Sequence, residues 1–537
     1  MPAISDLDAG LAGGVVVGKT SCAPARAFAL VAAAVAALIA NSPDSYAATS
    51  AHAAFGAAWQ SVDCKTFDVP DTVAVMSDCG YVTVPEQHSL QDGRTIELAV
   101  VRIRSTGETP ADDPLFVEQG GPGDSTIGVI VNQLFPHLPG LKAVLETRDL
   151  VFVEERGTRY SKPFLTCPEY DAKNIAVAKG EMAYSDPSWF RTCQARFQKQ
   201  GVRLGAFNTV ENAADVYFVA EILGYRAFNY YGVSYGTLLG QYVIAQADQH
   251  KAKLRSVIID GVVRADIDFN LASSHSISFA LRNVFHACAQ DQQCSWAYPD
   301  LEQKFLTVID RLDRQPVSLT LTTPRTNQPV VTKLDGITFV TALEPLLARP
   351  YSGNSARGTS IPKFITAASE GNFDWAVDSL SGDLESSDGS AKGMYHTVVC
   401  VREKSMQTPP DEALPLPFPQ LRALGEREAD AVAKVCSVLE ADRKPAFAYR
   451  NPDVPTLVLN GGYDPVTPQP YGEAVAAKLK NAYVYTFPGI GHGSFFPAAG
   501  MPATDCSITI AIEFLTNPGQ APDSSCLARV KPLFVVE

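Results

Sequence analysis

Gly232-Val233-Ser234-Tyr235-Gly236 sets a serine between two glycines. The residues before it, Phe228-Asn229-Tyr230-Tyr231, read as a short buried strand, and Thr237 to Ala245 is apolar on a helical period. Strand, sharp turn and helix are the context in which a G-x-S-x-G serine is raised above a sheet edge as a nucleophile. A serine hydroxyl is weak at neutral pH, so it needs a base, and the base needs an acid to orient it. Both lie downstream. Val454 to Asn460 reads as a strand entering Gly461-Gly462-Tyr463-Asp464-Pro465-Val466-Thr467-Pro468, which puts Asp464 on a Gly/Pro-rich loop. Ala482 to Phe487 reads as the last strand, followed by Pro488-Gly489-Ile490-Gly491-His492-Gly493. Serine, acid and histidine follow in an order used by one class of serine enzymes. The other histidines read blandly: His88, His137 and His250 fall in polar loops or at helix ends, and His52 near a processing site. His275, His286 and His396 lie in apolar stretches and read as satisfied structural groups.

Acyl transfer also needs backbone N–H donors for the developing oxyanion, and losing one costs about 3–4 kcal/mol. Pro114 to Gln119 reads as a strand feeding Gly120-Gly121-Pro122-Gly123-Asp124. The expected donors are Gly121 and Tyr235, with Gly120 as the alternative to Gly121; the same glycines can also shape a tight turn.

These loops, together with Asp149 to Thr158, resemble the proline iminopeptidase and tripeptidyl aminopeptidase family of serine hydrolases from residue 60 to residue 530. The secreted tripeptidyl aminopeptidase-like branch is the nearest in pattern, with Cys506, Phe514-Leu515, Gly519, Pro522 and Cys526 matching its C-terminal segment. The resemblance implies an α/β-hydrolase fold, an acyl-enzyme formed by Ser234, Asp464 and His492, and no metal or organic cofactor. It also implies a carboxylate in the lid that holds the substrate's free amine. Glu403 is the candidate, one residue later than the branch's Cys-x-Glu pattern after Cys400, and Glu154 is the second. Glu118 and Glu155 are further acids near the pocket floor, and for these two and Glu154 the alternative role is fixing the Arg156 loop. Two departures keep prolyl specificity from carrying over. Gln119 stands where the family has histidine, and Glu154-Glu155-Arg156-Gly157-Thr158-Arg159 replaces Asp-Gln-Arg-Gly-Thr-Gly.

Strands at Thr95 to Ile103, near Leu115, Val151 and Tyr230, and at Leu254 to Asp260 alternate with helical patterns, among them Thr209 to Leu223 with Thr209 as cap. That alternation predicts an α/β fold with a doubly wound, mostly parallel sheet. The chain between the Ile259 and Val458 strands is too long for a connection and predicts a large, mainly helical inserted lid. The expected organisation is a signal peptide over 1–47, core over 48–263, lid over 264–450 and core again over 451–537.

Ala27 to Ala40 is an apolar run after Arg26, too short to span a bilayer and suited to a signal-peptide core, with Ser45-Tyr46-Ala47 as a cleavage site. Cleavage would remove Cys22 and leave ten of the eleven cysteines, an even number that fits an oxidising compartment. The simplest pairing joins sequential neighbours. Gly13 to Thr20 satisfies a phosphate-loop pattern, but no strand precedes it and it sits in the leader. Hydrophobic content of 46% with 19% charge suits a packed core, and a net charge of −14 without a basic cluster argues against nucleic acid or anionic membrane as partner. The expectation is a secreted or periplasmic serine hydrolase acting on a peptide or small acyl substrate, without stable membrane insertion. An exopeptidase is favoured over a carboxylesterase, and over a non-catalytic binding protein of the same fold.

Overall fold

Runs of β-branched and aromatic residues that are apolar on both sides become the strands of one nine-stranded sheet. The computed structural model describes residues 58–90, 92–350, 359–402, 408–441, 447–451, 453–495 and 502–536. The expected signal peptide over 1–47, the phosphate-loop pattern and Glu403 lie outside the described residues.

The strands are β1 (Trp59–Ser61), β2 (Ser77–Pro85), β3 (Thr95–Ile103), β4 (Ala111–Glu118), β5 (Arg148–Val153), β6 (Ala227–Val233), β7 (Lys253–Asp260), β8 (Val317–Thr322), β9 (Pro329–Leu334), β10 (Thr456–Gly461) and β11 (Ala482–Phe487). The large sheet runs β1-β2-β3-β5-β4-β6-β7-β10-β11. Pairing is antiparallel from β1 through β3 to β5 and parallel from β5 onward. Both faces are covered. Val151, Val153, Tyr230 and Val458 enter one core, while Leu150, Phe152, Tyr231, Leu457 and Leu459 enter the other. Burial on both faces is why these strands read as continuous apolar runs rather than alternating ones. The loops after β4, β6 and β7 leave neighbouring carboxyl ends, where open α/β sheets bind their ligands.

The helix Thr209–Ile222 packs behind the elbow, but its cap is Asn208, not the expected Thr209. Asn208 is extended and its Oδ1 accepts from the N–H groups of Val210 (3.0 Å) and Glu211 (3.3 Å), so Thr209 is already the first helical residue.

Residues 261–455 leave the sheet between β7 and β10 and form helices including Ser273–Gln290, Leu301–Arg314, Gly336–Ala348, Lys392–Arg402 and Arg422–Val438. Leu281, Phe305, Phe339 and Phe418 belong to a separate core of this region. The hairpin β8–β9 is an element the periodicity missed, because its strands are short, threonine-containing and only partly buried. Among the described residues no helix is long and apolar enough to cross a membrane.

Five disulfides join sequential neighbours: Cys64–Cys79, Cys167–Cys193, Cys288–Cys294, Cys400–Cys436 and Cys506–Cys526. Cys400–Cys436 spans 36 residues, the longest separation of the five, and staples Lys392–Arg402 to Arg422–Val438. Cross-linking stabilises mainly by restricting the unfolded chain, so this bridge is worth about 4 kcal/mol. Replacing both Cys400 and Cys436 with serine is expected to lower the urea midpoint by more than removing Cys288–Cys294. An unchanged midpoint would contradict it.

Candidate active site

Ser234 stands at the tip of the turn between β6 and the helix Tyr235–Ala245, with φ 58° and ψ −124°. A side chain in that region costs about 1–3 kcal/mol and persists only where its surroundings enforce it. Here they do. The Ser234 N–H donates to Asp260 O (3.1 Å), and Thr237 donates to Ser234 O through its N–H (2.9 Å) and Oγ1 (2.6 Å). The flanking residues must be glycine: a Cβ on Gly232 would lie 2.1 Å from Gly236 O, and one on Gly236 would lie 2.8 Å from Gln119 O.

Asp464 is buried at the end of the loop after β10. Its Oδ1 accepts from the N–H groups of Val466 and Thr467, both at 2.8 Å, and its Oδ2 accepts from Thr467 Oγ1 (2.7 Å) and His492 Nδ1 (2.8 Å). The proton therefore sits on Nδ1, and Nε2 is left as the basic nitrogen. Burial alone would raise the Asp464 carboxyl, but the His492 charge and hydrogen bond, with the Thr467 donors, hold it below the usual range. Burial alone would lower His492, but the charge and hydrogen bond of Asp464 prevail and raise it above 6.5.

Asp260, which the sequence reading did not single out, ties these loops together. Its backbone oxygen holds the elbow, while its fully buried carboxylate accepts from Ser494 N (2.8 Å), Ser494 Oγ (3.0 Å), Phe495 N (2.9 Å) and Tyr231 Oη (3.1 Å). The available signal was an acid closing the apolar run Val257-Ile258-Ile259. A Cβ on the next residue, Gly261, would lie 3.2 Å from His492 Nδ1 and 3.3 Å from Asp464 Oδ2. Ser234 and His492 thus flank the same strand end. Among the described residues Ser234 Oγ makes no hydrogen bond, and catalytic hydrogen bonds commonly tighten only when substrate is bound.

The loop after β4 crosses directly over the serine. A Cβ on Gly120 would sit 2.5 Å from Ser234 Cβ, and Gly121 and Tyr235 line the same cavity as Ser234. The lid pins this loop, because the Ala391 N–H donates to Gly123 O (2.7 Å) and Asp124 bridges Ser390. It also pins the histidine loop, where the His492 N–H donates to Ala348 O (2.8 Å) at the end of Gly336–Ala348.

The cavity holds about 260 Å³. Among the residues of 264–450 that line it together with Ser234 are Glu344, Tyr395 and Glu428. Burial, reinforced by the charges of Asp383 and Glu428, pushes Glu344 up to about 7. Glu344 was legible as the lone acid of an otherwise apolar helix, whereas Glu428 hides in a charged one. Glu154, expected at the pocket, is corrected by the structure. It is fully buried and does not line the cavity; its Oε2 accepts from Ile127 N (2.9 Å) and its Oε1 from Tyr160 N (3.4 Å), which ties it to the loop after Arg156, its alternative role. Glu118 and Glu155 are likewise buried outside the cavity lining. The Arg156 guanidinium itself is held by Asp215, to which its Nε and Nη2 each donate at 2.7 Å. Burial pushes the Glu118 and Glu155 carboxyls up, and each one's acidic neighbours add to the rise.

Residues 422–526 match the family model described as TAP-like protein. The chain is 26% identical over 446 residues to serine protease Hip1 of Mycobacterium tuberculosis, covering 78% of this chain and 82% of that protein. It is 28% identical over 204 residues to the tripeptidyl aminopeptidase of Streptomyces lividans, covering 35% and 36%. Carboxylesterase B of Mycobacterium tuberculosis is 23% identical over 469 residues, covering 82% and 84%. Among solved structures, proline iminopeptidase of Mycobacterium smegmatis aligns at 14% identity and a TM-score of 0.33, covering 82% of this chain and 98% of that one. The fold and the sequence relatives match a TAP-like α/β-hydrolase.

If His492 is the base, reaction of Ser234 with a small fluorophosphonate requires the neutral ring. Its raised pKa means the reactive form is lost as pH falls, with a midpoint above 6.5. Labelling rate against pH checks this, and a midpoint at or below 6.5 would contradict it.

Proposed function

We propose that the protein is a secreted serine exopeptidase that removes short peptides or single residues from free N-termini through an acyl-enzyme. In this reading 264–450 is the lid and Ser234, Asp464 and His492 are the catalytic residues. The observation that carries it is that two carboxylates, Glu344 and Glu428, line the same cavity as Ser234. A free ammonium group needs acids at a fixed distance from the nucleophile, and an esterase acting on neutral acyl groups needs none. Five disulfides support an oxidising compartment.

His492 Nε2 takes the Ser234 hydroxyl proton as Oγ attacks the substrate carbonyl carbon. The N–H groups of Gly121 and Tyr235 receive the negative charge on the carbonyl oxygen. Asp464 holds the ring with Nδ1–H toward itself and stabilises the imidazolium. The C–N bond breaks as the imidazolium returns the proton to the leaving amine. Water, deprotonated by the same ring, then releases the acyl group and restores Ser234. Glu344 and Glu428 bind the substrate's ammonium group and so set how far from the N-terminus the scissile bond lies. The carboxylesterase relative supplies the competing reading, in which the same serine acts on acyl groups without an amine.

Peptide arylamides with free and acetylated N-termini separate the two. The free series is expected to be cleaved at least tenfold faster, and Glu344→Gln to reduce its kcat/KM by about 30- to 1,000-fold, equivalent to about 2–4 kcal/mol for a lost buried charge pair. Equal rates on both series would leave the esterase reading in place.

A further inference from the structure

A second chamber of about 180 Å³ adjoins the catalytic cavity and shares Asn270, Tyr395 and Glu428 with it. Its remaining wall is unlike that of the first. Lys173 and Lys392 both face it, and among the described residues neither forms an ion pair with a carboxylate. Lys173 is only 6% exposed. Its ammonium lies 4.3 Å from the centre of the Tyr184 ring and 5.2 Å from that of Tyr170, with a long 3.5 Å contact to Asn174 Oδ1. Lys392 lies 4.9 Å from the Tyr170 ring centre and 5.8 Å from that of Tyr395.

Two neutral polar groups there also lack partners. Asn270 is 8% exposed, and its Oδ1 accepts from Tyr395 Oη (3.0 Å), which fixes the amide and leaves Nδ2 as a buried donor with nothing to donate to. His396 is 6% exposed, its ring packs against Trp189 and Phe190, and its Nδ1 is unpaired. His396 is therefore not the satisfied structural group expected from its apolar neighbours. Burial, with the charges of Lys392 and Lys173, pushes it down to about 3, so it is a neutral ring at ordinary pH. Two acids border this chamber, and among the described residues neither forms an ion pair with its lysines: Glu428 accepts from Tyr184 Oη at 2.8 and 2.7 Å and from Arg427 Nη2 at 3.3 Å, and Asp186 accepts from the Ser188 N–H at 2.8 Å.

A buried donor without an acceptor costs about 1–3 kcal/mol, and a buried charge without a counter-charge costs more. A chamber that gathers two unpaired ammonium groups and an unpaired amide N–H is built for an anionic acceptor. Burial also pushes Lys173 down to about 8 against the opposing charge of Glu428, with the charges of Arg427 and Lys392 adding to the fall. We propose that this chamber receives the carboxylate side chain of the substrate's N-terminal residue, making the enzyme selective for peptides that begin with glutamate or aspartate. The assignment rests on the exopeptidase reading for its geometry: Glu428 borders both spaces, so a residue whose amine it holds can direct its side chain past Tyr395 toward Lys173 and Lys392.

Arylamides of one to three residues that begin with glutamate or with glutamine form the direct test, since the pair differ only in the side-chain charge. The native enzyme is expected to prefer glutamate by about tenfold or more in kcat/KM, mostly through KM. Lys173→Met and Lys392→Met should each bring that ratio toward one. The ratio is read within each variant, so a general loss of activity cancels. A native ratio of one or less, or a ratio that survives both substitutions, would overturn the proposal. Protection of Ser234 from a fluorophosphonate by the same peptides yields the ratio without turnover. Equal cleavage of acetylated substrates would sink the exopeptidase reading alone, because a glutamate preference that Lys173→Met removes would still report the chamber.

Discussion

Ser234 occupies a backbone conformation that no non-glycine residue adopts unaided, and the surrounding loops are arranged to keep it there. The strain of about 1–3 kcal/mol is offset by hydrogen bonds each worth about 0.5–1.5 kcal/mol net. Three of them converge on the serine backbone, from Asp260 on one side and Thr237 on the other. Glycine at 232 and 236 lets β4 and the following helix approach closely enough to close the turn. Asp260 then extends the same constraint to the histidine loop, since its carboxylate binds Ser494 and Phe495 while its carbonyl binds Ser234. Ser234 and the loop of His492 are held by two ends of one residue.

The lid is part of this arrangement rather than a cover laid over it. One of its helices ends on the His492 N–H, and its Ser390–Ala391 segment holds the loop that crosses the serine. A lid fixed at both points cannot shift without disturbing the His492 loop and the loop over Ser234 together. Burial raises Glu344 and pulls against ionisation of Glu118 and Glu155 alike. Only Glu344 opens on the cavity, where a cationic group could restore its charge.

Local chemistry was legible in the sequence, and contacts between distant segments were not. The elbow, the two downstream loops and the parallel strands announce themselves through glycine spacing and continuous apolar runs, and the sheet follows from the alternation with helices. Glu154 was misplaced because a position next to a glycine-containing loop does not say which way a side chain faces, and Ile127 N donates to it away from the cavity lining. Glu344 and Glu428, the acids proposed to hold the amine, were not singled out because such an acid was sought near Cys400, while helix packing brings residues 344 and 428 to one cavity. The unpaired Nδ1 of His396 could not be read at all, since apolar neighbours in sequence say nothing about whether a ring nitrogen finds a partner.

The central claim is that one strained serine is the nucleophile, and mapping the site of covalent modification tests it most directly. Peptide mass spectrometry of the fluorophosphonate-treated, disulfide-intact protein should find a single adduct, on Ser234. An adduct on any other serine, with the Ser234 peptide unmodified, would contradict the account.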